Sequence, residues 1–149
     1  EDILRRPQAI RPWQHVLEPL SGYLNLAMAL KKNDNFHGEA FNFGPPANQN
    51  FNVMSVVNEM SKYWDQVKWE TNKNKSFDES GLLKLNCDKA LSKISWEPVW
   101  NFNETIYHTV NWYKNFYLKK DDSFQLSLNQ IKDYTNSAIT KGLSWTNAK

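Results

Sequence analysis

The densest run of chemically useful side chains is Arg11, Trp13, Gln14 and His15, inside the stretch from Ile10 to Tyr23. A guanidinium offers a planar fork of N–H donors that fits a diphosphate or a carboxylate. Trp13 adds an aromatic face, and Gln14 and His15 add hydrogen-bonding groups. Each residue also has a plainer reading. Arg11 stands in a basic lead-in with Arg5 and Arg6, where spacing alone favours a solvated arginine. Trp13 suits a core, and His15 a satisfied structural histidine. Glu18 precedes Pro19 at an expected helix start, where a carboxylate complements the dipole. Cys87 has no base beside it in sequence and reads as a small packed side chain.

Other site chemistries are excluded by count. The five glycines are Gly22, Gly38, Gly44, Gly81 and Gly142. No pair lies close enough to write a dinucleotide-binding fingerprint, and no Lys-Ser/Thr follows a glycine pair at Walker A spacing. One cysteine and three dispersed histidines (His15, His37, His108) write no zinc pattern. There is no G-x-S-x-G elbow. None of the six tyrosines has a lysine four residues on, so no phenol–ammonium pair shares a helix face. The chain carries no self-contained catalytic set.

The elements that must position these residues follow from periodicity. At 149 residues the chain is one domain's worth. A net charge of +2 argues against nucleic-acid binding, and the lone cysteine fits a reducing, cytoplasmic setting. No apolar run approaches a membrane span. A helix is expected over 19–32, with Pro19 at its first position, followed by strands over 38–43 and 67–69. A further short strand fits 13–17. Helices are expected over 55–64, with Ser55 as cap, and over 87–94. A long helix over 101–119 is expected to bury Ile106, Tyr107, Val110, Trp112, Tyr113 and Phe116. A last helix fits 127–140, with a frayed tail beyond Gly142. Trp96 and Trp100 are expected in the core. The order points to an α/β class, helix-rich with two or three short strands.

Ile10-Arg11-Pro12-Trp13-Gln14-His15-Val16-Leu17-Glu18-Pro19 closely resembles the segment that characterises the CDP-glucose 4,6-dehydratase family of extended short-chain dehydrogenase/reductases. Blocks at 38–45, 83–90, 96–100 and 104–113 resemble it in the same order, so the likeness covers about residues 3 to 135. Asn86 departs from the family's usual Asp, and either residue can cap the helix that follows. The resemblance implies the C-terminal part of a Rossmann-type enzyme. Residues 1–50 would complete its NAD-binding domain, and 51–149 would form the substrate-binding portion. Such enzymes use NAD to convert CDP-glucose to CDP-4-keto-6-deoxyglucose for bacterial surface polysaccharide, and are homodimers at full length. Arg11 would then face the diphosphate, with Trp13, Gln14 and His15 in the sugar-nucleotide pocket. Glu79 aligns with a carboxylate that holds the nucleotide ribose, against the plainer reading of a solvated loop charge. Lys75 reads as a loop lysine. The glycine fingerprint and Tyr-x-x-x-Lys of the family lie upstream of the matched region, so the chain alone is expected to be inactive. The alternatives are another nucleotide-sugar epimerase or dehydratase, or a non-enzymatic sugar- or partner-binding module.

Overall fold

The computed structural model describes residues 2–32, 34–71 and 81–147. Among the described residues, five α-helices and one strand pair, with two 3₁₀ turns and a π turn over Asn115–Lys119 that extends α4, make up the regular structure: β1 (Asp2–Leu4), α1 (Leu17–Lys32), α2 (Val53–Tyr63), β2 (Trp69–Thr71), α3 (Asp88–Ile94), α4 (Phe102–Lys114) and α5 (Ser123–Thr140). β1 and β2 pair in parallel, Ile3 opposite Glu70. The expected helix-rich α/β character is therefore present. None of the described helices is long and apolar enough to cross a membrane.

Local chemistry sets the helix starts. Asn52 Oδ1 accepts the Ser55 N–H at 2.8 Å, so Asn52, not Ser55, caps α2. Asn101 and Glu104 form a reciprocal capping box at α4, with bonds of 2.8 and 3.0 Å. Asp122 caps α5 through the Gln125 N–H, which starts that helix four residues earlier than its apolar pattern suggests. Asn86 Oδ1 accepts the Asp88 N–H at the head of α3. Pro19 sits in the first turn of α1, although not at its first position.

Two expected strands are absent. Residues 13–17 form no strand, because the chain there turns into α1 and Glu18 N–H bonds back to the His15 carbonyl. Residues 39–43 lie outside regular structure with no ladder beside them among the described residues. Side chains take part of the ladder's place: Lys89 Nζ donates to the Ala40 carbonyl and Gln14 Nε2 to that of Phe43. The expected 67–69 strand falls at Trp69–Thr71, against the N-terminal residues that read as a lead-in. The lead-in is itself pinned. Ile10 exchanges backbone hydrogen bonds with Gly81 and Leu83, and Ala9 and Pro7 accept from the start of α2.

Three apolar clusters fill the interior. Phe43, Ala90, Ile94 and Trp96 pack under the middle of α1. Phe102, Ile106 and Val110 pack against α2 and Trp13. Val99, Trp100, Tyr134, Ala138 and Leu143 pack beside Leu17. The tail is thus docked, not frayed: Leu143 is buried and Trp145 joins the last cluster, in a final 3₁₀ turn. Tyr107, Tyr113 and Phe116 are exposed, because the inward stripe of α4 runs Phe102–Ile106–Val110 at i, i+4 spacing. Trp96 and Trp100 are buried as expected, while Trp112 is half-buried.

A buried carboxylate joins these parts. Glu18 is fully buried. Its Oε1 accepts the Trp100 N–H at 2.8 Å, and its Oε2 accepts the Val99 N–H at 2.9 Å and the Tyr134 hydroxyl at 2.7 Å. Ser21 Oγ lies 2.9 Å from the Tyr134 hydroxyl and accepts the Trp96 indole N–H. Glu18 stands in the first turn of α1, as expected of a carboxylate that complements the dipole, and its hydrogen-bond donors come from a loop and from α5. Burial pushes its pKa above the usual range, and the backbone and tyrosine donors oppose that push. Glu18→Gln replaces one all-acceptor oxygen by an amide N–H₂ and orphans a buried donor. We expect a loss of about 1–3 kcal/mol in urea unfolding at neutral pH. An unchanged midpoint would mean that these donors find other partners.

Gly22 is required by close approach. A Cβ there would stand 2.3 Å from the Phe43 ring, which crosses α1 at that point. Gly22→Ala is expected to cost about 1–3 kcal/mol, with part recovered in Gly22→Ala/Phe43→Leu, as read by thermal melts of both variants.

Candidate functional site

The segment 11–15 leaves the pinned lead-in and enters α1, and it sends its side chains to three different places. Arg11 lines a narrow cleft with Pro45, Pro46, Leu83 and Lys84. Its Nη1 donates to the Ile10 carbonyl at 2.9 Å, and Lys84 Nζ donates to the Ala47 carbonyl at 3.0 Å. Two cations therefore flank one cleft, whose own volume of about 10 Å³ has room for a single water. A larger anion has to lie across its mouth. Lys84 escaped the residue-by-residue reading because a lone lysine between leucines carries no signal until Arg11 is placed beside it.

Trp13 goes inward. Its ring packs against the α4 cluster, and its indole N–H donates to the Phe51 carbonyl at 2.9 Å. This is the core placement, with the hydrogen bond that a half-buried tryptophan needs.

Gln14 and His15 face a third place, an open cavity of about 410 Å³ between residues 14–17, α4 and α5. Thr109, Trp112, Tyr113 and Gln130 line its other walls. Gln14 Nε2 is held by the Phe43 carbonyl, which leaves Gln14 Oε1 buried and without a hydrogen-bond partner. Further along the α1–α5 seam, an apolar hollow of about 270 Å³ shares Leu17 and Ile131 with this cavity.

His15 is 4% exposed, and its ring meets the edge of Trp100 at 4.8 Å. Its Nδ1 accepts the Leu17 N–H at 3.2 Å, so the neutral ring carries its proton on Nε2. Gln130 shares a hydrogen bond with it. His108 stacks on Trp100 at 3.8 Å, and its charge disfavours that of His15. Burial, then His108, pull the His15 pKa from 6.5 down to about 4. Burial also lowers that of His108, against Asp133 and Glu104 nearby. The cavity wall is therefore uncharged near neutral pH. Glu79 and Lys75 lie outside the described residues. Among the described residues no three His, Cys, Asp or Glu side chains come together as a metal site. Burial raises the pKa of Cys87, and its half-buried packing fits the expected inert role.

The arrangement can hold an anion at Arg11 and Lys84 and a neutral group at the cavity. Over 140 residues, 93% of this chain, the sequence is 38% identical to the CDP-glucose 4,6-dehydratase of Salmonella typhimurium. The chain is a homologue of that dehydratase. It spans 38% of the dehydratase's length. No family model matches the chain. The cavity residues from α4 and α5 were missed in the sequence because Thr109, Gln130 and the aromatics sit on ordinary amphipathic helices; only the fold brings them opposite Gln14 and His15.

The depressed His15 pKa has a pH consequence with a definite sign. The neutral ring is the native form, so its contribution is complete above pH 6.5 and is lost as pH falls toward 4. Between pH 7 and pH 5 the loss is about 2 kcal/mol. Glu18, with its raised pKa, acts in the opposite sense, so the comparison must isolate His15. His15→Asn keeps an acceptor for the Leu17 N–H and removes the titration. Urea unfolding at both pH values is expected to show the wild type losing about 2 kcal/mol more than the variant; equal losses would show that His15 protonates freely in the fold.

Proposed function

We propose that this chain is the C-terminal, substrate-binding part of a CDP-glucose 4,6-dehydratase. The observation that carries the reading is the 38% identity across 93% of the chain. It is supported by the Arg11–Lys84 cleft, a pair of cations to which a diphosphate is complementary. In this reading residues 1–50 complete an NAD-binding domain and 51–149 carry the substrate side, in a cytoplasmic enzyme that is dimeric at full length.

The five glycines write no pyrophosphate-cradling loop, so this chain's residues do not form the cofactor's binding turn. Bound elsewhere in the enzyme, NAD would supply reversible hydride transfer at the sugar. The residues here bind and orient. Arg11 holds the diphosphate across the cleft mouth, with its guanidinium steadied by the Ile10 carbonyl. Lys84 adds a second positive charge. Fixing the diphosphate fixes the sugar on one side and the cytosine on the other, which is a positioning contribution to rate. The chain by itself carries out no turnover.

The test uses the polypeptide that carries this chain, assayed for loss of CDP-glucose and formation of the 4-keto-6-deoxy product. Arg11→Ala is expected to raise KM for CDP-glucose by roughly 10- to 100-fold, the worth of a charged hydrogen bond, with a smaller change in kcat. A preference for UDP- or dTDP-glucose would move the protein to a neighbouring nucleotide-sugar enzyme. An unchanged KM would remove Arg11 from the diphosphate site.

A further inference from the structure

The turn from α4 into α5 carries apolar surface that the described fold leaves uncovered. Tyr113, Phe116, Tyr117 and Leu118 are 47%, 37%, 61% and 48% exposed, and Phe124, at the start of α5, is 70% exposed. Three of the rings touch. Tyr113 stacks on Tyr117 at 6.2 Å, and Phe116 meets Tyr117 edge-on at 5.1 Å. The π turn that carries them ends at Lys120, whose φ of 56° is left-handed and whose N–H closes on the Asn115 carbonyl. A cation thus stands at the corner in a conformation that glycine adopts more easily. At these exposures the five apolar side chains offer roughly 500 Å², a patch size that marks a contact surface. A standard interface buries about 800 Å² per partner, so such a centre needs only a polar rim to complete one.

The charges beside the patch select the partner. Lys119 and Lys120 are followed directly by Asp121 and Asp122, so residues 119–122 sum to zero. Lys119, Lys120 and Asp121 form no ion pair among the described residues. Asp122 is spent on the cap of α5, and Lys114 on the Tyr63 carbonyl at 2.8 Å. An anionic lipid surface or a nucleic acid would meet as many carboxylates as ammoniums at this turn. A second copy of the chain meets the complement of its own charges. About a two-fold axis, residue i of one copy faces j of the other, and j faces i. Lys120 then meets Asp121 twice while the aromatic rings close between them. We propose that two copies of this chain associate through the α4–α5 turn, with Lys120 of each against Asp121 of the other around a centre of Phe116, Tyr117 and Phe124. The dimeric state belongs to the dehydratase reading, and the surface assigned to it rests on this patch.

The test measures the mass of the polypeptide that carries this chain by sedimentation velocity, at one protein concentration throughout. Lys120→Asp and Asp121→Lys each set like charges opposite one another. Each is expected to halve the assembled mass, through an association weakened about tenfold or more. Aspartate also tolerates the left-handed backbone at position 120. An equimolar mixture of the two variants is expected to recover the mass, because two carboxylates on one chain then face two ammoniums on the other. Recovery on mixing requires both variants to be folded. Tyr117→Ser/Phe124→Ser is expected to halve the mass as well. The proposal is overturned by a monomeric wild type, by masses that neither charge variant changes, or by a mixture whose components stay apart. Unchanged masses would assign the patch to another segment of the polypeptide or to a different partner. CDP-glucose turnover and its response to Arg11→Ala decide the dehydratase reading separately.

Discussion

The Glu18 carboxylate is the constraint on which the arrangement rests. A buried carboxylate is tolerated only where donors replace its water, and here the Val99 and Trp100 amides and the Tyr134 hydroxyl do so. Those donors come from the loop before α4 and from α5, so the first turn of α1 is fixed against both. Lys141, just past α5, closes the other side by donating to the Val99 carbonyl and to the Glu104 carboxylate. One loop thus has its amides held by a carboxylate and a carbonyl held by a cation. Move Glu18, and the entry of α1, the position of Trp100 and the wall carrying His15 move with it.

The segment just upstream inherits that rigidity. Arg11, Trp13, Gln14 and His15 span five residues, yet they reach a cleft, a core and a cavity. Extended backbone sends neighbouring side chains to different sides, and each side here has a different chemistry. Cations gather where Arg11 meets Lys84. Where His15 meets Gln130, neutrality is enforced by burial and by a second imidazole.

Much of this was legible in the residues. Asn101 with Glu104 three positions on announces the start of α4, and Asn86 announces α3. The glycine positions exclude a phosphate loop whatever the fold. Glu18 is legible as a carboxylate at a helix start, but nothing local reveals that its donors lie more than 80 residues away. The alternation at 38–43 suits a strand, but a strand also needs a neighbour, and none of the described residues supplies one. Tyr113 and Phe116 sat on the expected inner face because a run rich in aromatics blurs helical phase; the stripe through Phe102, Ile106 and Val110 decides it.

The reach of the Glu18 contacts also fixes an order of events during synthesis. Its partners follow it by 81, 82 and 116 positions. α1 therefore leaves the ribosome with its carboxylate still hydrated and stays so until α5 has emerged. Local helix formation can begin early, but the step that takes this charge out of water waits for Val99, Trp100 and Tyr134 and bears the entropy of closing those long loops. A nascent chain stalled before Tyr134 would hold most of the apolar residues and lack the third donor. Such an intermediate leaves the Trp100 cluster without the Tyr134 and Ala138 that cover it.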